Sequence, residues 1–185
     1  MPETDHDLST RIIDKYYQHD HPARDLLITH SQLVRDKSLK IAEKHPELKA
    51  DRDFISEAAM LHDIGIFQTW APAIGCYGDH AYIAHGYLGR EIMEKEELPK
   101  HGLVCERHTG IGLTTDEIRQ QDLPLPLREM VPQSIEEQII CFADTFFSKG
   151  HDVTQEKSPE EVKETLKKYG EDKVKQFTNW CHTFL

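Results

Sequence analysis

The stretch AAMLHDIG, residues 58–65, decides how the chain is read. His62 and Asp63 close an apolar helical run built from Phe54, Ile55, Ala58, Ala59 and Leu61. Two ionisable side chains at the buried end of such a run cost several kcal/mol each, on the order of what an unpaired buried polar or charged group costs. A metal ion removes that cost, because an imidazole and a carboxylate are ordinary N and O ligands for first-row transition ions. A His–Asp pair that satisfies itself by a hydrogen bond in a helix cap is the competing reading of the dipeptide alone.

Working outward, four more polar residues sit among apolar neighbours. His30 lies in DLLITHSQLV, on the face of Leu26, Leu27, Leu33 and Val34. His85 falls in IAHGYLGREI, His108 in VCERHTGIG and Asp144 in IICFADTFF. The helical neighbours of Asp144 are Ile140, Ala143 and Phe147, a surface on which an unpaired carboxylate would be protonated. Six such misfits suggest a common partner.

In chain order they read His, His-Asp, His, His, Asp. That order, with HDIG spelled out literally, resembles the HD-domain metal-dependent phosphohydrolase superfamily, over about residues 29–149. The stretch from ERHTGIGLTTDEI to SIEEQIICFAD is similar to a small branch of HDIG proteins. The resemblance implies an all-α, single-domain helical bundle spanning 1–185, with a core over about 22–150. It implies two metal ions: Asp63 bridges them, His30, His62 and Asp144 complete one shell, and His85 and His108 the other. The implied ions are divalent or mixed-valent transition metals, Fe or Mn first, with Co, Zn and Ni as alternatives. The implied activity is hydrolysis of a phosphate ester or anhydride through a metal-bridging hydroxide, with Asp63 as the catalytic carboxylate. Two alternatives stand beside it: a mixed-valent di-iron oxygenase, and a catalytically idle, metal-stabilised sensing domain.

One position departs from the pattern. Many relatives carry Lys or Arg three places after the Asp of the HD pair, where this chain has Ile66. Arg107, Lys149 and His80 are candidates to meet a substrate anion instead. Trp70, Tyr77 and the run Leu123 to Pro126 are candidates to wall a substrate pocket.

Composition narrows the partners. A chain of 185 residues is one domain by size, and 30% charged residues demand a solvated surface. A formal charge of -11 opposes nucleic acid and anionic membranes, so a small phosphorylated molecule or nucleotide is the expected partner, with metals supplying the positive charge. Cys76, Cys105, Cys141 and Cys181 form no CxxC pair, which fits a reducing, cytoplasmic setting. No apolar run reaches the length of a membrane span, and MPETDHDLST has no signal-peptide core. Oligomeric state is left open.

The expected elements are helices over about 8–19, 23–44, 53–63, 81–97 and 99–108, and one or two in the tail from Val162. Thr114 with Glu117, Ser134 with Glu137 and Ser158 with Glu161 have the spacing of capping boxes. Gly65 is expected as a left-handed helix terminator, and Gly86 and Gly89 as points of close backbone approach. No strand is expected.

Overall fold

The computed structural model describes residues 7–150 and 152–185. Among them nine α-helices occur: α1 Leu8–Tyr16, α2 Arg24–Lys44, α3 Arg52–Leu61, α4 His85–Lys95, α5 Pro99–Arg107, α6 Thr115–Gln120, α7 Ile135–Asp144, α8 Pro159–Leu166 and α9 Glu171–Phe184. The fold is all-α, as the periodicity implies. One small ribbon interrupts it: β1 (Trp70–Ala71) pairs antiparallel with β2 (Cys76–Tyr77). Two-residue strands are too short to show an alternating pattern, so the aromatic, Pro- and Gly-containing segment reads as loop alone.

Two apolar cores flank the site. One joins α2, α3, α7 and α9, where Phe142 touches the rings of Phe146, Phe177, Trp180 and Phe184. The other joins α1, α2, α3 and α4 around Leu27, Leu61, Ile64 and Met93. Tyr17 is buried there, and its hydroxyl donates to the Ile64 carbonyl beside the HD pair. The Pro-rich segment before α7 is packed: Leu123 and Leu125 lie against Leu113, Ile118 and Met130.

Local chemistry explains most boundaries. Asp51 caps α3 by accepting from the Phe54 amide, and Thr114 and Ser158 make full capping boxes with Glu117 and Glu161. Ser134 caps α7 in one direction only, because Glu137 turns its carboxylate to Arg107 and to the Gln133 amide. The first helix ends at Tyr16, and α4 starts at His85 after a tight turn over Tyr82–Ala84.

Gly65 corrects an expectation. Its φ is -82, so it is not left-handed. What requires glycine is space: a Cβ there would lie 2.3 Å from the His85 carbonyl oxygen and 2.5 Å from the Gly89 amide nitrogen. Gly86 does the same on the other side of α4, where a Cβ would meet the Cys105 carbonyl oxygen at 2.7 Å. These contacts press the turn after α3, helix α4 and helix α5 together, and so bring His62, Asp63, His85 and His108 to one point.

Candidate metal centre

All six polar misfits converge. Ligand-type atoms of His30, His62, Asp63 and Asp144 lie within 4.8 Å of one another, and so do those of Asp63, His85 and His108. His30 comes from the middle of α2. His62, His108 and Asp144 sit at the C-terminal ends of α3, α5 and α7. Three helix C-termini aimed at one place supply partial negative charge there, which favours a cation.

The hydrogen bonds fix which nitrogen faces the centre. His62 Nδ1 donates to the Ala59 carbonyl, His85 Nδ1 to Tyr82 and His108 Nδ1 to Cys105, each at 2.7 Å. A carbonyl only accepts, so in each neutral ring the proton is on Nδ1 and Nε2 offers a lone pair inward. This is the outer-shell arrangement that orients metal-binding imidazoles.

Asp63 lies between the two groups. Its Oδ2 is 3.3 Å from His30 Nε2 and 3.2 Å from His62 Nε2. Its Oδ1 is 3.4 Å from both His85 Nε2 and His108 Nε2. Asp144 Oδ1 closes the first group at 2.9 Å from His30 Nε2 and 3.4 Å from His62 Nε2. Asp63 Oδ1 and His62 Nε2 are buried without a hydrogen-bond partner. Buried polar atoms left unpaired are costly, and a cluster of imidazole and carboxylate atoms facing one another suits a cation.

The donor set fits metal ions. Two ligands at right angles on an ion with bonds of about 2.1 Å stand about 3 Å apart, and His85 Nε2 and His108 Nε2 are 3.1 Å apart. Mixed imidazole and carboxylate donors suit Fe, Mn, Co, Ni or Zn better than Mg or Ca.

Charge in the cluster is strongly perturbed. Burial pulls the His85 imidazolium down to about 3, so its ring is neutral. Burial acts the same way on His62, but Asp63 and Asp144 outweigh it and hold that ring at about 10. Burial pushes Asp63 and Asp144 up, and Lys149 with the surrounding histidines brings both well below the usual carboxylate range.

Lys149 is the cation that reaches the cluster. Its Nζ stands 2.7 Å from Asp63 Oδ2, an ion pair with 14% of the lysine side chain exposed. It thus brings positive charge to the region where Ile66, itself fully buried, cannot.

The other candidates lie differently. Arg107 is committed to Glu137, with its Nη1 3.0 and 3.1 Å from the two carboxylate oxygens. His80 is exposed and bonds through its backbone, its carbonyl accepting from the Trp70 amide. Trp70 and Tyr77 form an edge-to-face pair on the ribbon, 62% and 63% exposed. Leu123 and Leu125 belong to a small apolar cluster.

Solvent reaches the cluster from the Asp144 side. The Asp144 side chain is 19% exposed, while those of His30, His62 and Asp63 are fully buried. An open cleft of about 180 Å³ lies there, floored by His108 and Asp144 and walled by Thr145, Lys157 and Thr165. Those three wall residues carry no sequence signal: Lys157 sits in the polar run EKSPEE and the threonines have no motif. A larger cleft, about 340 Å³ between α2 and the end of α9, contains no histidine or cysteine. Glu106 was also silent in the sequence; it is buried and paired with Arg90 and Arg128, which ties the segment before α7 to α5.

A tRNA (cytidine(56)-2'-O)-methyltransferase of Picrophilus torridus is 35% identical over 127 residues, 68% of this chain and 33% of that protein. A methyltransferase of the same name from Thermoplasma volcanium is 32% identical over the same share of each. An uncharacterized protein of Methanocaldococcus jannaschii is 32% identical over 107 residues, 57% of this chain and 56% of its own length. The chain therefore spans about a third of the length of the two methyltransferases. No solved structure matches. The profile of the HD domain matches residues 27–147, from the helix that carries His30 to just beyond Asp144, and the chain belongs to the HD domain family.

Proposed function

We propose that this HD domain is a metal-dependent phosphohydrolase that holds two transition-metal ions and acts on a phosphate ester or anhydride. One observation carries the reading: Asp63 presents Oδ2 to His30 and His62, and Oδ1 to His85 and His108. A carboxylate so placed is suited to bridge two ions. His30, His62 and Asp144 would complete one site and His85 and His108 the other. When bound, such ions lower the pKa of a water and offset the charge that develops on phosphate oxygens.

The chain's own residues set the conditions. The Nδ1 donations orient three rings with Nε2 towards the cluster, and an ion bound there would displace the proton that Asp63 and Asp144 hold on His62. Burial of His30, His62 and Asp63 excludes water from the closed side, so electrostatic attraction to an anion acts on the cleft side. Lys149, paired with Asp63, adds positive charge beside the cluster.

Two relatives are named for action on tRNA, which weighs against dismissing nucleic acid as a partner despite the charge of -11. A nucleotide or an RNA phosphate therefore belongs beside small phosphate esters in the substrate screen. Mn- or Fe-loaded protein assayed for phosphate release, with and without oxygen, tests the proposal. Release that is independent of oxygen supports hydrolysis. Turnover only with oxygen would replace it by the oxygenase reading, and no turnover of any phosphorylated compound by fully loaded protein would favour the idle domain.

A further inference from the structure

The cleft over the cluster has a cation of its own. Among the described residues Lys157 is the only lysine or arginine in its lining, and Thr145 and Thr165 add hydroxyls. The lysine is placed by its backbone, whose amide donates to the Phe146 carbonyl at 2.9 Å and folds the segment after α7 back over the helix end. Ser158 then caps α8 directly after it.

The other cations near the cores are already paired: Lys149 with Asp63, Arg107 with Glu137, Lys173 with Glu117, Lys37 with Glu156. Among the described residues Lys157 has no such partner. The acid that feels it, Glu161, is held by hydrogen bonds to the Ser158 amide and hydroxyl. An unpaired ammonium lining a solvent-facing side of the cluster raises the local concentration of anions against the field of an acidic protein. The threonine hydroxyls give their protons to the Phe142 and Glu161 carbonyls. They remain acceptors, suited to an alcohol O–H of the substrate rather than to a phosphate oxygen.

The cleft is small. Clefts that enclose drug-sized ligands hold roughly 300 Å³ or more, and this one holds about 180 Å³. We infer that Lys157 forms an anion subsite for small phosphate monoesters of hydroxylated compounds, with the Thr145 and Thr165 hydroxyls accepting from the alcohol groups of the substrate. The inference rests on the phosphohydrolase reading and names its substrate class.

Calorimetric titration of Mn-loaded protein with inorganic phosphate and with AMP tests it. Wild type binds phosphate. Lys157→Met weakens that binding at least about tenfold, the loss of one charge-assisted hydrogen bond, and Lys157→Arg restores most of it. Metal content and melting temperature stay unchanged in both variants, which separates the subsite from folding. AMP binds wild type no more tightly than phosphate does. Equal phosphate affinity in wild type and Lys157→Met would overturn the subsite and leave the phosphohydrolase reading standing. AMP binding well above phosphate would overturn the restriction to small phosphate monoesters. No phosphate binding to loaded wild type would overturn both readings together.

Discussion

His85 Nε2 and His108 Nε2 face each other at 3.1 Å, although each ring has already given its Nδ1 hydrogen to a backbone carbonyl. Two lone pairs at that distance, with Asp63 Oδ1 3.4 Å from both, repel one another unless a cation lies among them. Protonating a ring does not relieve the clash easily, because burial drives His85 down to about 3.

These two histidines should therefore control one metal ion and not the other. His85→Ala or His108→Ala is expected to lower metal content from about two ions per chain to about one, since His30, His62 and Asp144 remain. Elemental analysis after gel filtration checks this. Unchanged content in both variants would place the second ion elsewhere.

Gly65→Ala should be among the more damaging small substitutions. Its Cβ would press on backbone atoms of His85 and Gly89, which cannot rotate away. Overpacking of this kind costs about 1–3 kcal/mol, and here it also pushes His85 from Asp63. A lower melting temperature with reduced metal content is expected. Wild-type values of both would show that α4 moves freely against the HD turn.

Acid should weaken the contact between α9 and α6. Burial pushes the Glu117 carboxyl up, but hydrogen bonds from Lys173 and Thr114 prevail and hold it below its ordinary 4.5. A carboxyl lowered in the folded state contributes stability that is full above the unfolded value and is lost as the pH falls past the folded one. The melting-temperature gap between wild type and Lys173→Met should be widest near neutral pH and shrink below 4.5. Some gap should persist, because Lys173 Nζ also donates to the Gly112 carbonyl. A gap that does not change with pH would remove Glu117 from the account.

Trp70 offers a different check. It is 62% exposed and packs on Tyr77 alone among the aromatic rings, so Trp70→Ala should cost no more than about 1 kcal/mol, the scale of one aromatic pair. With the open cleft on the Asp144 side, KM for a phosphate ester should also hold. A raised KM with intact metal content would make the ribbon a substrate wall after all.

The ligand-type cluster was legible because the code is local: each of its members interrupts an apolar helical face, and burial turns that interruption into a demand for a partner. The helices were legible from the same periodicity and from their caps. What was not legible depends on contacts between distant segments. Glu137 looked like the second half of a capping box, but Arg107, which is 30 positions away in sequence, takes its carboxylate. Gly65 looked like a helix terminator because sequence shows that a Cβ is missing but not what it would strike. Lys157 carries no signal within the polar run EKSPEE, and only the fold of the segment after α7 sets it beside the cluster. The two-residue strands fell below any periodic signal.

The central claim is that Asp63 bridges two metal ions. Metal content of Asp63→Ala, measured beside wild type after loading with Mn and removal of excess, tests it most directly. The account predicts about two ions per chain in wild type and well under one in the variant, because a bridging carboxylate belongs to both sites. Two ions retained by Asp63→Ala would contradict it.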